Sequence, residues 1–180
     1  MPFITVNGKR LHYSDTKPSD SGDSSTTTTT TTTTTIIFVH GLGSTQNYFF
    51  PILPYLADYR CITFDNYGAG RSKYDPDVFA DHSVESIGLD VLAILDRLAI
   101  VQKVVVVGYS MGGMLPTYLA ATASERVKAG VCIGPVHPSG AVAEVFKKRV
   151  PAVREGEFSS WVFFFSYVVL CCGVVPTSSW

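Results

Sequence analysis

The sequence predicts an α/β fold: a mostly parallel sheet with helices on both faces and an N-terminal antiparallel hairpin. Three observations carry this. Strand-forming runs at Ile36–Val39, Cys61–Phe64 and Val104–Val107, the first and last of them apolar throughout, alternate with segments of helical period. Strands that are apolar throughout are buried on both faces, as in parallel sheets. The opening stretch Phe3–Tyr13 alternates strand formers around Asn7-Gly8, the positive-φ pair that a tight hairpin turn needs. Lastly, the Val104 strand runs directly into Gly108-Tyr109-Ser110-Met111-Gly112 and a small-residue, helix-compatible stretch. A strand, a sharp turn with serine at its tip, and then a helix form a nucleophile elbow.

The remaining elements follow in order. From Asp15 to Thr35 the chain is polar and simple, ending in ten consecutive threonines, Thr26–Thr35. A homopolymer has no apolar face to bury, so residues 15–35 are expected to be a disordered surface insertion. Order resumes in the strand Ile36–His40 and the loop Gly41-Leu42-Gly43-Ser44. A helix is expected from Asn47 to Ala57, interrupted by Pro51 and Pro54, and then the strand Cys61–Phe64 ending at Asp65. Ser83 caps a helix whose apolar positions Val84, Ile87, Val91, Ile94, Leu95 and Leu98 keep three-to-four spacing. The elbow leads into a helix to Ala123, in which Pro116 is expected to kink the first turns. Val127–Ile133 is the last strand that the pattern supports.

Composition narrows the function classes. With 180 residues and 46% hydrophobic content, the chain can build one sizeable core. A net charge of -1 leaves no electrostatic footprint for nucleic acid. The cysteines Cys61, Cys132, Cys171 and Cys172 make no C-x-x-C pair, so they read as small buried hydrophobes rather than metal ligands. Gly41-Leu42-Gly43 follows a strand, but position 46 is Gln where a dinucleotide fingerprint needs its third glycine. The opening hairpin in place of a signal peptide points to a cytoplasmic protein.

His40, Asp65 and Ser110 all stand at carboxyl ends of strands, where open α/β sheets place their active sites. A serine hydroxyl is a poor nucleophile until a base takes its proton, and acyl transfer also needs donors for the oxyanion. The amide of Met111, at the start of the following helix, is the first such donor, and Leu42 on the neighbouring loop is the second. Three motifs in order carry a resemblance: His40-Gly41-Leu42-Gly43, Asp65-Asn66-Tyr67-Gly68-Ala69-Gly70-Arg71-Ser72 and Gly108-Tyr109-Ser110-Met111-Gly112. With them the chain resembles the α/β-hydrolase fold superfamily. The wording of His40–Ala57 and Gly134-Pro135-Val136-His137-Pro138 is most similar to 3-oxoadipate enol-lactonase-like serine hydrolases.

That resemblance implies Ser110 as nucleophile, Leu42 and Met111 as the oxyanion hole, and Gly108, Gly112, Gly41 and Gly43 as elbow and loop support. It makes His40 a loop-ordering residue, implies no metal or organic cofactor, and points to a small-molecule ester or lactone as partner. Asp65 precedes Ser110, whereas the triad order in this fold is serine, acid, histidine, so Asp65 reads as a structural hydrogen-bonding group. His12, on the hairpin, and His82, on a loop, read as surface residues.

The resemblance covers Pro2–Lys148 apart from the threonine insertion, giving residues 1–149 as an N-terminal hydrolase part and 150–180 as a non-homologous hydrophobic tail. Only His137 follows Ser110, and Glu144, Glu155 and Glu157 come after it, so a triad acid and base are not assigned. The run Phe158–Val175 has neither helical nor alternating period. It reads as a membrane anchor preceded by Lys147, Lys148, Arg149 and Arg154, as a divergent core strand, or as translated intron. The last is favoured because Gly156-Glu157-Phe158 can be encoded GGT-GAG-TTY, which contains the splice-donor sequence GTGAGT. With no strand beyond it, Val127–Ile133 is expected to be an exposed, association-prone sheet edge.

Overall fold

A computed structural model of the chain describes residues 2–18, 34–78, 81–136 and 173–176, with 139–140, 143–144, 147 and 151. Strands β1 (Phe3–Val6) and β2 (Lys9–Thr16) form the expected hairpin, with Asn7 at φ 48° and Gly8 at φ 76°. Strands β3 (Thr35–Val39), β4 (Arg60–Phe64), β5 (Val104–Tyr109), β6 (Val127–Ile133) and β7 (Gly173–Pro176) complete one sheet in the order β1-β2-β4-β3-β5-β6-β7. The four central strands are parallel, and β1/β2, β2/β4 and β6/β7 are antiparallel.

The period of two in the central strands divides their side chains between two cores. On one face Ile37, Val39, Ile62, Phe64, Val104 and Val106 pack with α1 (Val84–Arg97) and α2 (Leu115–Thr122). On the other, Ile36, Phe38, Cys61 and Val107 pack with Phe49, whose ring lies 5.0 Å from that of Phe38. Ser83 caps α1 as its sequence indicates, accepting the Ser86 amide at 3.1 Å.

Four expectations are corrected. The segment expected as a helix over Asn47–Ala57 is a 3₁₀ helix, Gln46–Leu56, because Pro51 and Pro54 have no amide to give to an α-helical ladder. Pro116 kinks nothing: a 3₁₀ turn, Ser110–Met114, precedes α2, and Pro116 falls in the first turn of α2, where an amide has no intrahelical acceptor. The segment 15–35 begins and ends in strand rather than being irregular throughout. Asp15 and Thr16 extend β2 against Ile62 and Cys61, and Thr35 opens β3 opposite Arg60. Finally, β6 is not left bare, since Gly173–Pro176 pairs along Ala129–Cys132. The rest of the run 158–172 lies outside the described residues, as do His137 and most of the threonine tract.

Candidate active site

β5 lies between β3 and β6, with Val39 in register with Gly108 and Ile133 with Tyr109. The chain leaves its carboxyl end through Ser110 at φ 55°, the left-handed region, which costs a non-glycine residue about 1–3 kcal/mol. Its neighbours show what holds it there. A Cβ on Gly108 would run into the Gly112 carbonyl, and one on Gly112 into the Val39 carbonyl. The turn therefore folds back on itself with backbone against backbone, which only glycine permits. Gly41, from the end of β3, is packed so closely that a Cβ there would stand 2.8 Å from the Ser110 Cβ. Ser110 itself is 9% exposed, and its carbonyl accepts the Val136 amide at 3.3 Å.

His40 organises the loop after β3. Its Nε2 accepts the Asn66 amide at 2.9 Å, which places the ring proton on Nδ1, and Nδ1–H donates to the Gly41 carbonyl at 2.7 Å. Burial holds its pKa below the ordinary histidine value, outweighing the opposing pull of the Gly41 carbonyl and Asp65. With both nitrogens engaged, His40 ties the β3 and β4 loops together and has no lone pair left for Ser110.

Asp65, at the end of β4, is 2% exposed and accepts the amides of Gln46 at 2.8 Å and Arg71 at 3.0 Å. A Cβ on Gly70 (φ 52°) would come within 2.5 Å of its carboxylate. The carboxylate thus closes the Gly68–Ser72 loop upon itself. Ser72 completes the closure, accepting the His12 amide at 2.9 Å and donating to the Asp65 carbonyl at 2.7 Å.

His12 is a correction to the surface position expected for it: it is 3% exposed, with Nδ1 2.6 Å from Gln46 Nε2 and 3.2 Å from Asp65 Oδ2. Antiparallel pairing of β2 with β4 carries it inward, beneath the Asp65 loop. His82 is exposed as expected, its ring stacked 5.9 Å from that of Tyr67. Lys9 and Asp90 escaped the sequence reading. Lys9 Nζ lies 2.7 Å from Asp90 Oδ2 and 2.7 Å from Ser86 Oγ, with both ions almost wholly buried, and Asn7 donates to the other Asp90 oxygen at 2.9 Å. This cluster binds the hairpin to α1. The signal was available in part, since Ser86 and Asp90 share one face of α1 at helical spacing.

Loops from three strand ends line one cleft of about 850 Å³: His40, Leu42, Asn66, Tyr67 and Met111 are on its wall, with Lys9 and Asp90 at its base. Leu42 is 66% exposed at the rim. Among the described residues no imidazole or carboxylate hydrogen-bonds the Ser110 hydroxyl, and no three His, Cys, Asp or Glu side chains group to hold a metal ion.

A mostly parallel sheet with a serine at a strained turn after one of its inner parallel strands, facing a glycine-rich loop from the adjacent strand, defines a hydrolase-type α/β protein. The sequence model of the alpha/beta hydrolase fold family matches residues 34–162, and the chain belongs to that family. Among curated relatives, 3-oxoadipate enol-lactonase 1 of Acinetobacter baylyi is 35% identical over 92 residues, 51% of this chain and 33% of that protein. Karrikin insensitive 2 receptor B of Petunia hybrida is 38% identical over 83 residues, 44% of this chain and 29% of the receptor. Among solved structures, the enol-lactonase from Burkholderia xenovorans LB400 superposes with a TM-score of 0.61 at 25% identity, covering 74% of this chain and 46% of that one. The matched stretch is thus less than half the length of each of these relatives.

Proposed function

We propose that the chain carries the nucleophile and oxyanion hole of a serine hydrolase acting on a small carboxylic ester or lactone. In this reading the Ser110 hydroxyl attacks the acyl carbon, and the amides of Met111 and Leu42 receive the oxyanion. Collapse of the tetrahedral intermediate breaks the acyl C–O bond and expels the alcohol (in a lactone, the ring hydroxyl), which gains the proton that Ser110 gave up. Water then cleaves the acyl-serine, releasing the acid and returning a proton to the Ser110 oxygen. The observation that carries it is Ser110 itself, held at φ 55° beyond β5 with the backbone of Gly41 against it. Strain of this kind persists only where the surroundings enforce it, and it collects at active sites. The likeness to enol-lactonases supports the substrate class.

A second reading has one observation in its favour: the described residues supply Ser110 with no general base. In that reading the chain is a catalytically inactive hydrolase-like protein. A membrane-tethered form of it draws no support from the described residues, of which no helix is long and apolar enough to cross a membrane, and Gly173–Pro176 is a strand.

A fluorophosphonate probe separates the two, because it reacts with a serine whose proton has somewhere to go. Covalent labelling of the wild-type chain, absent from Ser110→Ala, supports the hydrolase. A folded chain that stays unlabelled over hours supports the inactive protein.

A further inference from the structure

Sharing Tyr67 and Tyr74 with the cleft is a second, half-open cavity of about 540 Å³, lined by these two and by Phe3, Arg10, Arg71, Lys73 and Asp75. Its chemistry differs from that of the cleft. Three cations line it, and among the described residues none of them is in an ion pair. The single carboxylate is already engaged, since Asp75 Oδ1 accepts the Asp77 amide at 3.0 Å. This concentration of positive charge stands on a chain whose net charge is -1.

The aromatic lining is held in place. Tyr67 is 7% exposed, and its hydroxyl accepts the Asp75 amide at 2.7 Å and donates to the Asp75 carbonyl at 3.1 Å. Its ring lies 5.9 Å from that of Tyr74, which is 61% exposed. The Arg10 guanidinium sits 3.9 Å over the Phe3 ring, a cation–π contact that fixes its plane and leaves its donors open. Arg71 projects from the loop that Asp65 closes, so its backbone is anchored as well. Alternation along β2 explains why the cavity and the cleft are distinct: consecutive residues point to opposite sides, so Lys9 reaches the cleft while Arg10 reaches the cavity. Only Tyr67 and Tyr74 line both.

Guanidinium forks match the oxygens of phosphate, aromatic faces accept a flat ring, and a surplus of two positive charges suits a dianion. We propose that this cavity binds a small phosphomonoester carrying a flat ring, at a site separate from the cleft beside Ser110. The proposal does not rest on Ser110 being catalytic.

Phenyl phosphate is the probe, titrated calorimetrically into the whole 180-residue chain at low salt, with inorganic phosphate and benzoate in parallel. The expected result is saturable binding that weakens as salt is raised. Arg10→Gln and Arg71→Gln each lower the affinity for phenyl phosphate about tenfold, the order of one charge-assisted contact. Both side chains are exposed, so the variants keep the wild-type melting temperature. Tyr74→Ala weakens phenyl phosphate several-fold and leaves inorganic phosphate unchanged. Leu42→Ala, on the wall of the cleft and absent from this cavity, binds as the wild type does, which separates the two sites. The proposal is overturned by absence of saturation up to about 10 mM. Full affinity in the Arg10→Gln/Arg71→Gln double variant, loss of binding in Leu42→Ala, or benzoate binding as tightly as phenyl phosphate overturns it equally.

Discussion

Gly41 and Ser110 meet across two neighbouring strands, and the sheet register brings them together. Val39 pairs with Gly108, so the residue two places further along each chain arrives at the same point beyond the sheet. There the Gly41 backbone leaves no room for a Cβ, which would stand 2.8 Å from the Ser110 Cβ and 3.2 Å from the Tyr109 carbonyl. Neither neighbour can yield, because Ser110 is fixed by the glycines on either side of it. Gly41→Ala is therefore expected to cost about 1–3 kcal/mol in urea unfolding, the range for overpacking. With Ser110 as the proposed nucleophile, it should also slow fluorophosphonate labelling at least about tenfold, since small displacements at a reacting atom are costly. Unchanged labelling would show that the loop after β3 is free to retreat.

The backbone of Ser110 gives a second expectation. Replacement by alanine keeps the left-handed strain and replacement by glycine releases it, so Ser110→Gly should be more stable than Ser110→Ala by about 1 kcal/mol. Both should be unlabelled. Equal melting temperatures for the two variants would mean that the turn relaxes when the serine side chain is removed.

Lys9 and Asp90 form a buried pair, and such pairs punish removal of one partner more than removal of both. Lys9→Met leaves the Asp90 carboxylate uncompensated and should cost about 3–5 kcal/mol. The double variant Lys9→Met/Asp90→Leu should recover most of that loss. Additive losses in the unfolding cycle would show that the two ions act independently.

His40 supplies a pH dependence. Burial holds its folded pKa below the value near 6.5 of an unfolded chain. The unfolded state then binds more protons in that window, so stability is full above about pH 6.5 and falls as pH drops from there toward the lowered folded value. The urea midpoint should be lower at pH 5.5 than at 7.5, and His40→Asn, though less stable at both, should narrow the difference. A slope untouched by His40→Asn would assign the loss to other groups.

The elbow and the hairpin were legible because local chemistry decides them. β5 is a run of valines between glycine and charge, and Asn7-Gly8 admits few conformations other than the tight turn it makes. The Ser83 cap is equally local. What escaped was set by distant partners. His12 alternates like its neighbours on β2, and its burial comes from Gln46 and Asp65, tens of residues downstream. The Lys9–Asp90 pair joins residues 81 positions apart. β7 carries no period that distinguishes it from the apolar run around it, and only the free edge of β6 selects Gly173–Pro176 as its partner. Motif order located Ser110 and its glycines, whereas its surroundings depended on which strands became neighbours.

The last residue of the threonine run is also the first residue of β3. Thr35 is 7% exposed and paired opposite Arg60, and the Thr34 hydroxyl accepts a hydrogen from the Lys128 ammonium at 3.0 Å. Every residue from Thr26 onward is chemically interchangeable with these two. If the tract were lengthened or shortened, a threonine would still occupy both positions, and Ile36–Val39 would keep its register. The tract can therefore change its number of threonines without the sheet registering the change, and variants with longer or shorter tracts should keep a melting temperature almost equal to that of the wild type.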